Sequence, residues 1–382
     1  MVKSNLFGTM IETIMKHYCL PAFVLLIAFF TALPAHAQTD SPTAPAVQYF
    51  VAKIISGPVE TEIDYGGVTA HLKIYQAEIV KGPAKGQPIE LEQNDLFVSS
   101  TAIDVQAGDQ VVVVQTIDLD EVATYTIIDA YRLPALIWAV IVFFLLAVIF
   151  GRLKGLTSIA GLALSAGVIV WFLVPRIVAG ADPLLTSLLA SLLIATVSLF
   201  VAHGFNKRTA IAYGGTIVTL IISALAAVLA VSVTHLFGMG SEESIFVLAD
   251  LPNLSLKGLL LAGIMLGLLG VLDDITTAQS AVVEELKLAN PTLTFTELYR
   301  RGLSVGREHI ASLINTLFLA YAGASLPLFL LFYSNNNQAL WMIFNNEMIA
   351  EEIVRTIVGS ASLILAVPIT TAFAAYVHRK CH

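Results

Sequence analysis

The chain has 382 residues, of which 57% are hydrophobic and only 13% charged, with a mean hydropathy of +0.82. Those figures exclude an ordinary soluble globular protein and indicate a polytopic membrane protein. The formal charge of −8 is unevenly spread, because residues 38–131 hold 14 Asp and Glu against 4 Lys and the remainder is close to neutral. Two cysteines, Cys19 and Cys381, offer no disulfide framework and no metal-thiolate site.

Residues 1–37 read as a signal peptide. Lys16 precedes an apolar run from Leu20 to Leu33, and Pro34-Ala35-His36-Ala37 supplies an A-x-A cleavage pattern. Met15 is an alternative start, and an uncleaved anchor is the alternative to cleavage; both export the segment beyond residue 37. Residues 38–131 then form a small acidic domain. Val47–Ile55, His71–Ile79 and Val111–Gln115 are rich in β-branched residues. Gly66-Gly67, Lys81-Gly82-Pro83, Lys85-Gly86-Gln87-Pro88 and Ala107-Gly108-Asp109 supply turns. The pattern predicts an extracytoplasmic antiparallel β-domain of five to seven strands. Asp118, Asp120 and Glu121 lack the ligand spacing of a calcium loop and read as a solvated loop.

Residues 132–382 form the membrane domain. Seven runs meet the requirement of about 20 mostly apolar residues: 134–151, 156–175, 183–203, 209–237, 257–279, 308–333 and 352–377. With the β-domain outside, the inner segments hold Arg152, Lys154, Lys207, Arg208, Lys287, Arg300, Arg301, Arg307, Arg379 and Lys380, against Arg176, Lys257 and Arg355 outside. That asymmetry predicts the N-terminus outside and the C-terminus inside. The expected fold is therefore a polytopic α-helical membrane protein of seven transmembrane helices behind a small β-domain.

Two adjacent carboxylates, Asp273 and Asp274, interrupt the fifth run. Intramembrane acids are costly and mark sites by default. Gly263, Gly267, Gly270 and Asp274 share one helical face, with Gly263 and Gly267 as a G-x-x-x-G pair. On that reading Asp274 looks into protein and Asp273 looks elsewhere. Asn315, Thr370 and Thr371 lie at a matching depth in the sixth and seventh runs, so Asp274, Asn315 and a threonine are expected to converge; interhelical hydrogen bonding is the plainer alternative for the last three. Tyr321, and the small-residue run Ala320 to Ser325 with Gly323, lie further along the sixth run. At the outer start of the seventh, Glu347, Glu351, Glu352 and Arg355 form a charge cluster, with Glu351 and Arg355 spaced as an i, i+4 pair. A solvated helix start with acids favouring its dipole explains it. Thr294-x-x-Glu297 is a capping box.

Three blocks, Leu269–Lys287, Arg301–Leu328 and Asn346–Ala361, resemble the YibE/F family of bacterial membrane proteins, in a likeness running from about Val47 to Tyr376. The resemblance implies an outer β-region ahead of several helices in the bacterial cytoplasmic membrane. It also implies a single carboxylate at Asp274 in much of the family, with Asp273 belonging to a two-carboxylate variant. It implies no established reaction.

Several chemistries lack their residues. There is no G-x-x-x-x-G-K-[ST] loop, no H-E-x-x-H and no G-x-S-x-G, so no enzyme, cofactor or metal is expected, and no nucleic acid partner. Two functions remain. The first is a transporter of a small solute coupled to a proton or cation at Asp274, with Asp273, Asn315, Tyr321, Thr370 and Thr371 along the path. The second is an assembly or sensory subunit whose β-domain binds a partner, the Gly263, Gly267, Gly270 and Gly323 surfaces packing helices or a second copy.

Overall fold

The computed structural model describes residues 48–64, 69–82, 84–94, 104–117, 123–334 and 339–378, without the side chains of 62–64 and 69–71. Residues 1–37, expected to be a signal peptide, the Gly66-Gly67 pair expected to turn, the Asp118/Asp120/Glu121 cluster, Arg379 and Lys380 lie outside the described residues. The described residues divide into two compact units, one ending at Leu146 and the other beginning at Ala147.

Among the described residues, five strands make the first unit: β1 (Gln48–Asp64), β2 (Thr69–Lys81), β3 (Pro88–Asn94), β4 (Gln110–Ile117) and β5 (Ala123–Ala130). They close into a barrel in the order β1-β2-β3-β5-β4. The pairing is antiparallel except between β3 and β5, which run parallel through Leu91↔Tyr125 and Glu92↔Thr126, and this corrects the purely antiparallel expectation. The physical reason is closure. β1 pairs with β4 along Gln48–Lys53 and with β2 from Val51 to Asp64, its register with β2 shifting between Val51 and Ala52 and again between Ile54 and Val59; such irregularities bend a strand so that it can serve both neighbours. Alternation along the strands turns Ala52, Ile54, Tyr75, Ala77, Leu91, Val111, Val113 and Ile127 inward. The Tyr75 hydroxyl donates to Gln93 Oε1 at 2.9 Å, and burial pushes the Tyr75 phenol above its ordinary value. Gly82 turns the chain with φ 126°, where a Cβ would meet the Phe50 ring at 2.7 Å. Where the chain leaves the barrel, Lys81 Nζ donates to the Tyr131 hydroxyl at 2.9 Å and Arg132 pairs with Asp129 at 2.6 Å.

The helices come next in the chain. α1 (Leu133–Val168) runs through a π-helical turn (Ile169–Leu173) into α2 (Val174–Val178). After it come α3 (Pro183–His203), α4 (Lys207–Val233), α5 (Glu242–Asp250), α6 (Leu256–Ala289), α7 (Phe295–Ala324), α8 (Leu326–Ser334), α9 (Leu340–Asn345) and α10 (Glu347–His378). Caps explain several ends: Asp182 accepts from the Leu185 N–H before α3, Asn206 from Thr209 before α4 and Ser255 from Gly258 before α6. Thr294 and Glu297 form the expected capping box of α7. α1 breaks at Arg152, whose φ of 53° and ψ of −132° are not helical. Beyond the break, Gly155 lies against the backbone of Ala147, a closeness that about 12 Å of rise in a straight helix forbids.

Among the described residues, five helical runs are long and apolar enough to cross a membrane when Leu133–Val178 counts as one 46-residue run, and six when α7 and α8, bent by 59°, are joined. This is a membrane protein with several long apolar helices behind a small β-domain. The expected straight run over 308–333 is broken at Ser325, because Pro327 has no N–H to give the Gly323 carbonyl and its ring clashes with that carbonyl in a continuous helix.

α6 is central, packing on α3, α4, α7 and α10. Its buried face carries Leu261, Ile264, Met265, Leu268, Leu272 and Ile275. Gly263, Gly267, Gly270 and Asp274 are exposed on the opposite face, which reverses the expectation that the glycines pack and Asp274 points inward. Several buried leucine-class side chains remove far more apolar surface than three glycines can. Close helix approach is instead provided on α7, where a Cβ at Gly302 would meet Thr371 and Val283 at 2.9 Å and one at Gly306 would meet Val367 and Gln279. That is also a G-x-x-x-G pair.

Candidate functional site

Polar side chains spaced three and four apart run down the buried side of α6, and each reaches a different neighbour. Asp273 Oδ2 accepts from Ser198 Oγ on α3 at 2.8 Å, while Asp273 Oδ1 is buried with no hydrogen-bond partner. Thr276 shares a 2.8 Å hydrogen bond with Thr216 on α4. Gln279 Nε2 donates to the Gly302 carbonyl of α7 at 2.8 Å and to Thr371 Oγ1 of α10 at 2.7 Å. Ser280 Oγ donates to the Arg208 carbonyl on α4 at 3.0 Å. A buried amide or hydroxyl without a partner costs about 1–3 kcal/mol, so these bonds fix the angular setting of four helices around α6. Asp273 differs from the rest because only one of its oxygens is satisfied.

The threonines do not join Asp274 and Asn315 as expected, because they are buried on the far side of the bundle contacts. Asp274 and Asn315 are both exposed. Thr371 is buried and bonded to Gln279, and Thr370 is buried against Gly215 of α4 with its hydroxyl unpartnered. Tyr321 is half-buried, its hydroxyl 3.3 Å from where a Cβ on Gly267 would stand. Gly323 is exposed with nothing within 4 Å of a built Cβ. The exposed glycine face of α6 therefore lies beside Tyr321, away from the threonines.

The charge cluster at the start of α10 is built differently from a solvated helix end. Glu347 Oε1 accepts from the backbone N–H groups of Phe237, Gly238 and Met239 at 2.6, 2.9 and 3.3 Å. Glu351, only 6% exposed, accepts from the Gly240 N–H at 2.9 Å. Arg355 pairs with Glu352 at 2.6 Å, an i, i+3 contact in place of the expected pairing with Glu351. The two glutamates accept from the backbone N–H groups of the turn between α4 and α5, charge-assisted bonds that hold that turn against the start of α10.

Sequence reasoning passed over Ser198, Thr216, Gln279 and Gly302-x-x-x-Gly306. Their signal was present: Leu272, Ile275, Gln279 and Val283 continue the apolar stripe of α6 at helical spacing, which places Gln279 on the buried face.

Residues 139–380, well over half the chain, match the model of the YibE/F-like protein family. The chain belongs to the YibE/F-like family. The match takes in α6 with both aspartates and all of α10, and it begins after the barrel, so the barrel is not part of the matched region. No curated protein and no solved structure matches the chain.

Proposed function

We propose that this YibE/F-like protein carries a small solute across the bacterial cytoplasmic membrane, coupled to a proton or small cation at Asp273. The observation that supports this reading is the single carboxylate oxygen of Asp273 left without a partner between α3 and α6. A carboxylate in a long apolar helix is expensive and otherwise unrewarded, and its orphan oxygen is the acceptor that a proton or cation would take. Asp274, one residue on and facing the open side, hands the ion to Tyr321 and Asn315, while buried Thr370 and Thr371 hold α10 against its neighbours. The reaction is translocation without enzymatic chemistry, and no cofactor takes part.

Seven spans fit this reading. The 46 residues of Leu133–Val178 are more than twice the length one crossing needs, and the backbone break at Arg152 divides them. The excess of Arg and Lys in the segments read from the sequence as inner favours an extracytoplasmic barrel and an inner C-terminus.

The test uses proteoliposomes holding wild type, Asp273→Asn or Asp274→Asn, screened for pH-gradient-driven and cation-driven flux. The expected result is flux in the wild type, lost in Asp273→Asn and reduced in Asp274→Asn, with all three eluting alike in gel filtration. If folded wild type passes no proton or cation under any gradient, the transport reading falls. A second reading then stands on a separate observation: the face with Gly263, Gly270 and Asn315 is uncovered and suits packing against a second copy or a membrane partner.

A further inference from the structure

At the end of the bundle where α3 gives way to α4, a pocket of about 260 Å³ is lined by Lys154, His203, Arg208, Ala212, Ala278 and Ala281 among others. Local structure holds the cationic groups there. Thr157 Oγ1 donates to the Ala202 carbonyl at 3.3 Å, which ties the segment after the Arg152 break to the last turn of α3 and so brings Lys154 beside His203. Gly204, with φ 80°, and Asn206, whose Nδ2 donates to the His203 carbonyl at 2.9 Å, make the turn into α4 tight. Ser280 fastens the first turn of α4 to α6 through the Arg208 carbonyl.

The charges are unequal in freedom. Arg208 lies 3.7 Å from Glu284, which takes part of its charge, and His203 stands within electrostatic reach of Asp273 and Asp274, whereas among the described residues no hydrogen bond or ion pair holds the side chain of Lys154. Lys154 and His203 are exposed at the rim, and the floor is mostly alanine from α4 and α6, with Thr209 and Thr277 beside it. A cationic rim over an apolar floor, in a helix bundle that lies in a membrane, matches a molecule with a phosphate at one end and hydrocarbon at the other. We propose that this pocket binds the headgroup of an anionic phospholipid, the phosphate meeting Lys154, His203 and Arg208 and the first acyl carbons lying on Ala212, Ala278 and Ala281. Basic pockets between transmembrane helices are a known setting for such headgroups. A free phosphate ion would use the rim and gain nothing from the floor.

The experiment is native mass spectrometry of the full chain released from detergent carrying equal phosphatidylglycerol and phosphatidylcholine. Wild type, Lys154→Gln, Lys154→Gln/His203→Gln and Lys257→Gln are compared, the last at the opposite end of α6. Wild type is expected to retain phosphatidylglycerol over phosphatidylcholine, with retention about fivefold lower in Lys154→Gln, lower again in the double variant as the imidazole donor is lost, and unchanged in Lys257→Gln. Added inorganic phosphate is expected to displace none of it. Equal retention in all four proteins, or an equal loss in Lys257→Gln, overturns the proposal, and displacement by inorganic phosphate reassigns the pocket to a free anion. The single Lys154→Gln variant breaks no contact and keeps the test open if the double variant does not fold.

Discussion

Among the described residues, the polar side chains that reach the barrel interior are Tyr75 and Gln93, and they bond to each other. In the helical unit, buried hydroxyls, an amide and a carboxylate come from α3, α4, α6 and α10, and buried polar atoms of Ser191, Thr219, Ser223, Asp273, Arg355, Thr370 and His378 have no partner. The difference is informative because the cost of an orphan polar atom is similar in both places. A barrel of this size is free to choose apolar residues at nearly every inward position and does so. The helical unit has the same choice and retains polar groups, which points to work done by that interior beyond holding its shape.

The comparison breaks hardest at a barrel core position. Leu91 is fully buried, so Leu91→Ala is expected to cost about 2–5 kcal/mol, read as earlier loss of the β signal in circular dichroism of the full chain, while the helical signal holds. If the helical signal falls together with the β signal, the two interiors are not independent and the contrast loses its meaning.

Gln279 sharpens the contrast from the other side. Its amide nitrogen bonds to both α7 and α10, so Gln279→Leu is expected to cost about 1–3 kcal/mol in detergent melting. Asp273→Asn, which keeps the volume and can still accept from Ser198, is expected to cost less than about 1 kcal/mol on the same scale. A partnered polar group would then be structural and a half-partnered one functional. The reverse order of effects would make Asp273 a packing residue and remove the main support for ion coupling.

How much of this was legible in the sequence depends on the range of each interaction. The apolar runs marked α3, α4 and α6 within a few residues at most of their ends because length and hydropathy are local properties. The capping box at Thr294 was equally local. The parallel β3–β5 pair was not legible, since barrel closure depends on strands more than 30 residues apart meeting edge to edge. The orientation of α6 was misread for a different reason: its glycines and its leucines both repeat at helical spacing, and only the neighbours decide which stripe is covered. The capping of the Phe237–Gly240 turn by Glu347 and Glu351 spans over 100 residues and leaves no mark in either segment alone.

The smallest expected effect belongs to a carboxylate in the opposite setting from Asp273. Asp129 sits at the surface where the chain leaves β5, and the Arg132 guanidinium, with help from the Ala130 N–H, holds its carboxyl below the ordinary range. A folded value below the unfolded one means that the contribution is present above about pH 4, the ordinary Asp value, and is lost as pH falls through the folded value. The Ala130 amide, which donates to Asp129 Oδ1 at 2.8 Å, reports this directly. Its hydrogen exchange is expected to be slower in wild type than in Asp129→Asn above about pH 5, with the gap closing as the carboxylate protonates. A gap that stays constant into acid would show that the side chain's shape, and not its charge, secures the joint. Asp129 would then differ from Asp273 only in exposure, and the inference that an intramembrane charge is kept for its chemistry would have to rest on the flux measurement alone.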